Sequence, residues 1–188
     1  TVGSSLVGTT ALATGNYYVS QTLDSCESAR AMVAVTVNVT AAPTASAQTF
    51  CNGLFTATVA NLMATGTAVQ WYAAATSGSA LTSATALATG NYYVSQTLNS
   101  CESPRTMVVV TVNATPAPTA PATQTFCGSA TVANLMASGT GLQWYAFGFG
   151  GDLLASAQAL ASGDYFVSQT VAGCESQRIM VTVTIGNT

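Results

Sequence analysis

The sequence predicts an all-β chain, a linear array of small β-sandwiches, and three observations carry that prediction. The first is repetition: Ala-Leu-Ala-Thr-Gly-Asn-Tyr-Tyr-Val-Ser-Gln-Thr-Leu runs unchanged from Ala11 to Leu23 and from Ala86 to Leu98, and a third version runs from Ala159 to Val171. Each block leads into Cys-Glu-Ser-x-Arg, at Cys26 to Arg30, Cys101 to Arg105 and Cys174 to Arg178, and then into an alternating Val/Thr run. The second is the period: Cys101 follows Cys26 by 75 positions and Cys174 follows Cys101 by 73. That is too long for a helical solenoid unit and right for a small sandwich. The third is that no segment sustains a 3.6-residue period, so helix content is expected to be very low.

The spacing divides the chain into residues 1–41, the C-terminal half of a repeat, and two complete repeats, 42–115 and 116–188. Because Thr1 falls inside a repeat, the chain reads as a piece of a longer polypeptide. A Pro-containing joint, Ala41 to Gln48, opens the middle repeat, and Thr115-Pro-Ala-Pro-Thr-Ala-Pro opens the next; prolines at this density favour a stiff, extended connector. Within the middle repeat the expected order is Thr49-Phe50-Cys51, a strand around Thr56 to Met63, the Val-Gln-Trp-Tyr strand between the Gly66 and Gly78 turns, the Tyr-Tyr strand Asn91 to Leu98, and the Val strand.

Strand periodicity assigns the faces. Val69, Trp71 and Ala73 share one face, with Gln70 and Tyr72 on the other; Tyr92, Val94 and Gln96 oppose Tyr93, Ser95 and Thr97; Val108, Val110 and Val112 form an inward stripe. The third repeat gives Leu142, Trp144, Tyr165, Val167, Val181, Val183 and Ile185 inward by the same reasoning. Trp71 and Trp144 are therefore expected to be buried, and Tyr92 and Tyr165 to be more buried than Tyr93 and Phe166.

Composition excludes most chemistry. There are 3 basic and 6 acidic residues in 188, with no His, and the basic residues are all Arg. That leaves almost nothing for general acid/base catalysis, phosphate binding or metal ligation, and effectively excludes nucleic acid as a partner. Asp152 and Asp164 have no acid/base partner, and no Ser or Thr has a His or Lys to activate it. Gly148-Phe149-Gly150-Gly151 reads as a turn, since no strand-to-helix transition follows it to cradle a phosphate. No cofactor is expected. Glu27, Glu102 and Glu175 each precede an Arg by three positions, the pattern of one surface ion pair per repeat contributing ~0 to 1 kcal/mol. Polar residues interrupt every apolar run, so no membrane-spanning helix is expected, and hydroxyls and amides take over the role of charge in keeping the surface wet.

Five cysteines at matching points of the repeats indicate an oxidising compartment. Cys51 and Cys127 open a repeat; Cys101 and Cys174 close it. The expected bridges are Cys51 to Cys101 and Cys127 to Cys174, one within each complete repeat and each contributing ~4 kcal/mol by loop entropy. Cys26 is then unpaired, its partner belonging to the missing first half of its repeat, with a reactive thiol as the alternative.

These residues resemble an immunoglobulin-like sandwich. A Trp follows the opening Cys by about 20 positions, and Thr89-Gly90-Asn91-Tyr92-Tyr93-Val94 is similar to the turn and strand carrying the tyrosine corner of Ig domains, with Val94 where the usual second Cys stands. More specifically, Cys-x-Gly, Gln-Trp-Tyr and Tyr-Tyr-Val-Ser-Gln-Thr-x-x-x-Cys-Glu-Ser-x-Arg resemble the Ig-like repeats of giant surface proteins exported by the type IX secretion system of gliding bacteria. The resemblance implies an extracellular, cell-surface adhesin or filament of tandem Ig-like modules, with secretion and anchoring signals elsewhere in the polypeptide.

Two functions follow as expectations. The leading one is a structural stalk of tandem disulfide-stapled sandwiches, whose partners are neighbouring repeats of the same chain or other copies in a fibre. The other is a carbohydrate-binding accessory module, in which the outward rings Tyr72, Tyr93, Tyr145 and Phe166 stack on surface glycans or polysaccharide; cross-strand aromatic pairs also stabilise a sheet without any ligand. Residues 1–41 alone cannot close a core, and their inward stripe of Tyr17, Val19, Val33, Val35 and Val37 calls for cover from the missing half or from strands of a neighbouring chain. They are expected to fold as their counterparts do, leaving a gap where the Trp strand belongs.

Overall fold

The computed structural model describes residues 4–186; residues 1–3 and 187–188, at the outer edges of the expected first and last repeats, lie outside the described residues. In the first unit, β1 (Gly15–Val19) pairs antiparallel with β4 (Ala31–Val35), and the short strands β2 (Thr22–Leu23) and β3 (Cys26–Glu27) form a hairpin between them. The second unit holds β5 (Gln48–Asn52), β6 (Gln70–Tyr72), β7 (Gly90–Ser95), β8 (Thr97–Leu98), β9 (Cys101–Glu102) and β10 (Thr106–Ala114). Its sheet runs β5-β10-β7-β6, with β5 parallel to β10 and the other pairs antiparallel. The third unit repeats this with β11 (Thr123–Cys127), β12 (Leu142–Tyr145), β13 (Gly163–Val171), β14 (Cys174–Glu175) and β15 (Ile179–Gly186), in the order β11-β15-β13-β12.

Register is the same in all three units: Gly15 faces Val35, Gly90 faces Val110 and Gly163 faces Val183. A one-residue slip would turn the Val stripe out to solvent, so the alternation fixes the pairing. Val94, Val108 and Val110 are accordingly buried, while their neighbours Met107 and Val109 are exposed.

A second layer without long strands covers the inward face. A short 3₁₀ turn, Val59–Asn61, begins where Asn61 Oδ1 accepts the Thr58 N–H at 2.8 Å. Single bridges, Thr44 to Thr65 and Thr58 to Ala86, stand in for a full second sheet. The Gln48 amide ties the layers, donating to the Met63 carbonyl at 2.7 Å and accepting from its N–H at 2.9 Å; Gln124 does the same to Met136. Between the layers Trp71 packs with Ala57, Val59, Leu62 and Leu87, and Trp144 packs with Ala130, Val132 and Leu160. Both tryptophans are buried, as the strand period requires.

The Tyr of each repeat forms the expected corner. The Ala13, Ala88 and Ala161 N–H groups donate to the hydroxyls of Tyr17, Tyr92 and Tyr165 at 2.9, 3.1 and 3.0 Å. Tyr92 and Tyr165 pack on the cores and Tyr93 and Phe166 lie on the other face, but all four are half-buried.

Candidate functional site

Each complete unit carries on its outer face a pinned cluster built from the Trp strand, the Tyr-Tyr strand and the Cys hairpin. Tyr72 lies opposite Tyr93 across the sheet, and Tyr145 lies opposite Phe166. Two of the four rings expected to be open to a sugar are closed: Tyr72 is 5% and Tyr145 6% exposed. The Arg105 guanidinium sits 3.3 Å from the centre of the Tyr72 ring, and Arg178 sits 3.2 Å from that of Tyr145. Arg105 Nη1 also donates to the Ala74 and Ser77 carbonyls, as Arg178 does to those of Phe147 and Gly150, folding the following loop down over the ring. Phe166 is further hemmed in by Gly148, where an added Cβ would lie 3.1 Å from its ring. Of the candidate ligand face, Tyr72 and Tyr145 are thus closed inside a clasp, and Tyr93 and Phe166 lie half-buried beside them.

Carboxylates complete the clasp. Glu102 accepts from Ser95 at 2.6 Å and from the Tyr72 hydroxyl at 2.9 Å. The Ser95 and Tyr72 hydroxyls, more than Arg105, hold its carboxyl below the usual range. Burial first, then the Glu175 carboxylate, raises the Tyr145 hydroxyl above the usual phenol range. The expected ion pairs are present at 3.4, 4.0 and 3.7 Å, and Arg105 and Arg178, unlike Arg30, are held by a ring and by loop carbonyls as well.

The cysteines are arranged differently from the expectation. The bridge joins Cys51 to Cys174, with Cα atoms 5.3 Å apart, and so links the second unit to the third. Cys101 and Cys127 are free, as is the exposed Cys26. Strand direction is the reason. Because β5 is parallel to β10, Cys51 pairs in register with Asn113 at the exit end of its unit, whereas Cys101 sits in the hairpin that precedes β10. Traversing β10 from Thr106 to Ala114 separates the two ends by roughly 25 Å, far beyond the ~7 Å a disulfide spans. The exit-end Cys of one unit instead meets the hairpin Cys of the next.

The hairpin is built to present that Cys. Asn99 and Ser100 have φ of 48° and 63°, and Ala172 and Gly173 have 49° and 79°, the two-residue turn with positive φ at both positions that matches strand twist. Around the bridge, the Thr115 hydroxyl donates to the Cys174 carbonyl at 2.9 Å and the Gln169 amide donates to the Pro116 carbonyl at 2.8 Å. Gly53 packs so tightly that an added Cβ would lie 1.9 Å from the Glu175 carbonyl oxygen. Phe55 of the second unit meets Phe149 of the third edge to face, ring centres 5.4 Å apart. The joint before the second unit repeats the polar part: Thr40 donates to the Cys101 carbonyl at 2.9 Å and Gln96 to the Ala41 carbonyl at 2.8 Å.

Sequence reasoning placed Thr115 in a joint and Gln96 on a strand but assigned neither, nor Thr40 or Gln169, a bond across the joint. Thr40 and Thr115, and Gln96 and Gln169, recur with the spacing of the cysteines, which is the signal that could have found them. Among the described residues no group of three or more His, Cys, Asp or Glu could hold a metal ion, and no helix is long and apolar enough to cross a membrane.

Among solved structures the chain is similar to the crystallised Sidekick-1 immunoglobulin domains 1–4, at 18% identity and a TM-score of 0.29, covering 97% of this chain and 61% of that one. It is also similar to the N-terminal four Ig domains of Dscam1 isoform 9.44, at 14% identity and a TM-score of 0.27, covering 91% of this chain and 55% of that one. The chain therefore spans less than two thirds of either. A search of the curated proteins found no match. The family described as "Ig-like domain CHU_C associated" matches twice in tandem, over residues 41–114 and 115–186, and the chain belongs to that family.

Proposed function

We propose that this chain is a load-bearing stalk segment of a large extracellular adhesin or filament, which spaces a binding element away from the cell surface and performs no catalysis. The observation that carries this reading is the Cys51–Cys174 bridge, which crosses the joint between units instead of closing one. A chain pulled from its ends carries the same tension through every unit and joint. The Cys51–Cys174 link takes that tension across the joint and diverts it around everything between the two cysteines. The clasped outer faces support the same reading, since their aromatic rings are spent on internal packing with Arg105 and Arg178. The disulfide fits an oxidising, extracytoplasmic setting, and the motif resemblance favours surface proteins exported by the type IX system as the setting. Sugar stacking finds no support, because Tyr72 and Tyr145 offer no free ring face.

Single-molecule pulling from residues 1 and 188 tests the reading. The bridge encloses 123 positions, about 400 Å of contour at the length of an extended residue. The oxidised chain should withhold that length at forces that unfold the reduced chain completely. Equal final extension in both states would show that the bridge carries no load.

A further inference from the structure

Cys101 and Cys127 stand at the same two positions as the bridged pair, but toward the outer joints. Cys127 is the last residue of β11 and Cys51 the last but one of β5, and Cys127 pairs in register with Gly186 as Cys51 does with Asn113. It is exposed and free. Cys101 occupies its hairpin as Cys174 does: both carbonyls accept a joint threonine hydroxyl, from Thr40 and Thr115, at 2.9 Å. The bridge between the second and third units is the precedent for both positions.

We propose that Cys127 is the attachment site for a further repeat of this kind: it forms a disulfide with the hairpin Cys of a Cys-Glu-Ser-x-Arg unit continuing the same polypeptide, so that every joint of the array is covalently closed. Gly128 follows Cys127 directly, where the second unit has Asn52, and has φ of 77° with nothing within 4 Å of an added Cβ, so the exit end beside Cys127 is open. The exit loop there is also shorter, Gly128-Ser129 before Ala130 where the second unit has Asn52 to Thr56 before Ala57, so the aromatic contact of Phe55 with Phe149 is particular to the joint it occupies and the cysteine pair is the common element.

Closure requires an oxidant, here a small-molecule disulfide such as oxidised glutathione. The Cys127 thiolate attacks it, forming a mixed disulfide and releasing one glutathione thiolate; the incoming hairpin thiolate then attacks the Cys127 sulfur and releases the second. Two protein thiols and one disulfide become one protein disulfide and two glutathione thiols.

The inference deepens the stalk reading but fails separately from it, since joints could be bridged without carrying load. The test appends a second copy of residues 116–188 after Thr188, with Thr125→Ser and Gln177→Asn in the appended copy as mass tags at these exposed positions, refolds the extended chain with oxidised and reduced glutathione, and maps disulfides by peptide mass spectrometry without reduction. The expected result is a bridge from Cys127 to Cys174 of the appended copy, alongside Cys51 to the original Cys174, in a monomer. Cys127 left alkylatable, bridged to Cys26 or Cys101, or found in an interchain dimer overturns the proposal. A Cys127→Ser version of the extended chain keeps the test readable if folding is in question: it should leave the appended Cys174 alkylatable while the Cys51 bridge persists.

Discussion

The first and third units contain the same Tyr-Tyr strand, Cys hairpin and Val strand, paired in the same register, yet their side chains live in different environments. Val19 and Val33 are 57% and 47% exposed, whereas their counterparts Val167 and Val181 are fully buried. The Arg30 side chain is 41% exposed and Arg178 only 5%. Hydrogen bonds local to the hairpin survive in both units: the tyrosine corner forms at Tyr17 as at Tyr165, and Ser20 bonds Glu27 as Ser168 bonds Glu175. What the first unit lacks is everything contributed by the Trp strand and the layer beyond it. Local sequence thus suffices to set the hairpin and its register, while burial and the arginine clasp require the opening half of the repeat.

That contrast can be broken most severely at the joint. Removing the Cys51–Cys174 bridge, by reduction or by replacing both cysteines with Ser, should cost about 5 kcal/mol on the loop-entropy estimate for 123 positions. Denaturant unfolding should then show the second and third units melting as separate, weaker transitions, with the first unit unaffected. Next in size, Trp144→Ala should cost ~3 to 5 kcal/mol as a core truncation, whereas Val33→Ala in the open first unit should stay within about 0.5 kcal/mol; equal costs would mean that the first unit is covered after all.

The clasp gives a smaller difference. Arg178→Ala removes a desolvated cation over the Tyr145 ring and should destabilise by about 2 kcal/mol, while Arg30→Ala, which breaks only an exposed pair, should cost no more than about 0.5. The smallest effect is with pH. Glu102 is held below its ordinary range by the Ser95 and Tyr72 hydroxyls and then by Arg105, so its contribution is complete above the ordinary carboxylate value of about 4 and is lost as pH falls through the lowered one. Acid should therefore loosen the second unit's clasp below about pH 4, and Glu102→Gln should flatten that loss in a thermal-stability series. Its side chain is 46% exposed, so solvent screening keeps the effect modest.

Much of the fold was legible because it is periodic. Alternation in Val108, Val110, Val181 and Val183 gave the inward face, the Gly-Asn-Tyr-Tyr turn gave the corner, and the Gln-Trp-Tyr run gave the strand that buries Trp71. The disulfide was not legible, because the pairing depends on the direction of β5. A four-residue run such as Gln48-Thr49-Phe50-Cys51 reads the same whether it lies parallel or antiparallel to the Val strand, and that choice alone decides whether Cys51 meets the hairpin of its own unit or of the next. The closed state of Tyr72 and Tyr145 was hidden for a related reason: strand period places a ring on the outer face, but only the loops that follow it, drawn in by Arg105 and Arg178, decide whether that face meets solvent.

The central claim, that successive units are joined through Cys51 and Cys174, is tested most directly by a disulfide map of the unmodified oxidised chain. Alkylation of free thiols, proteolysis without reduction and mass spectrometry should recover one linked pair of peptides, containing Cys51 and Cys174, with Cys26, Cys101 and Cys127 alkylated. Linked peptides containing Cys51 with Cys101 and Cys127 with Cys174 would contradict it, returning the bridges to the interior of each unit and leaving the joints held by hydrogen bonds alone.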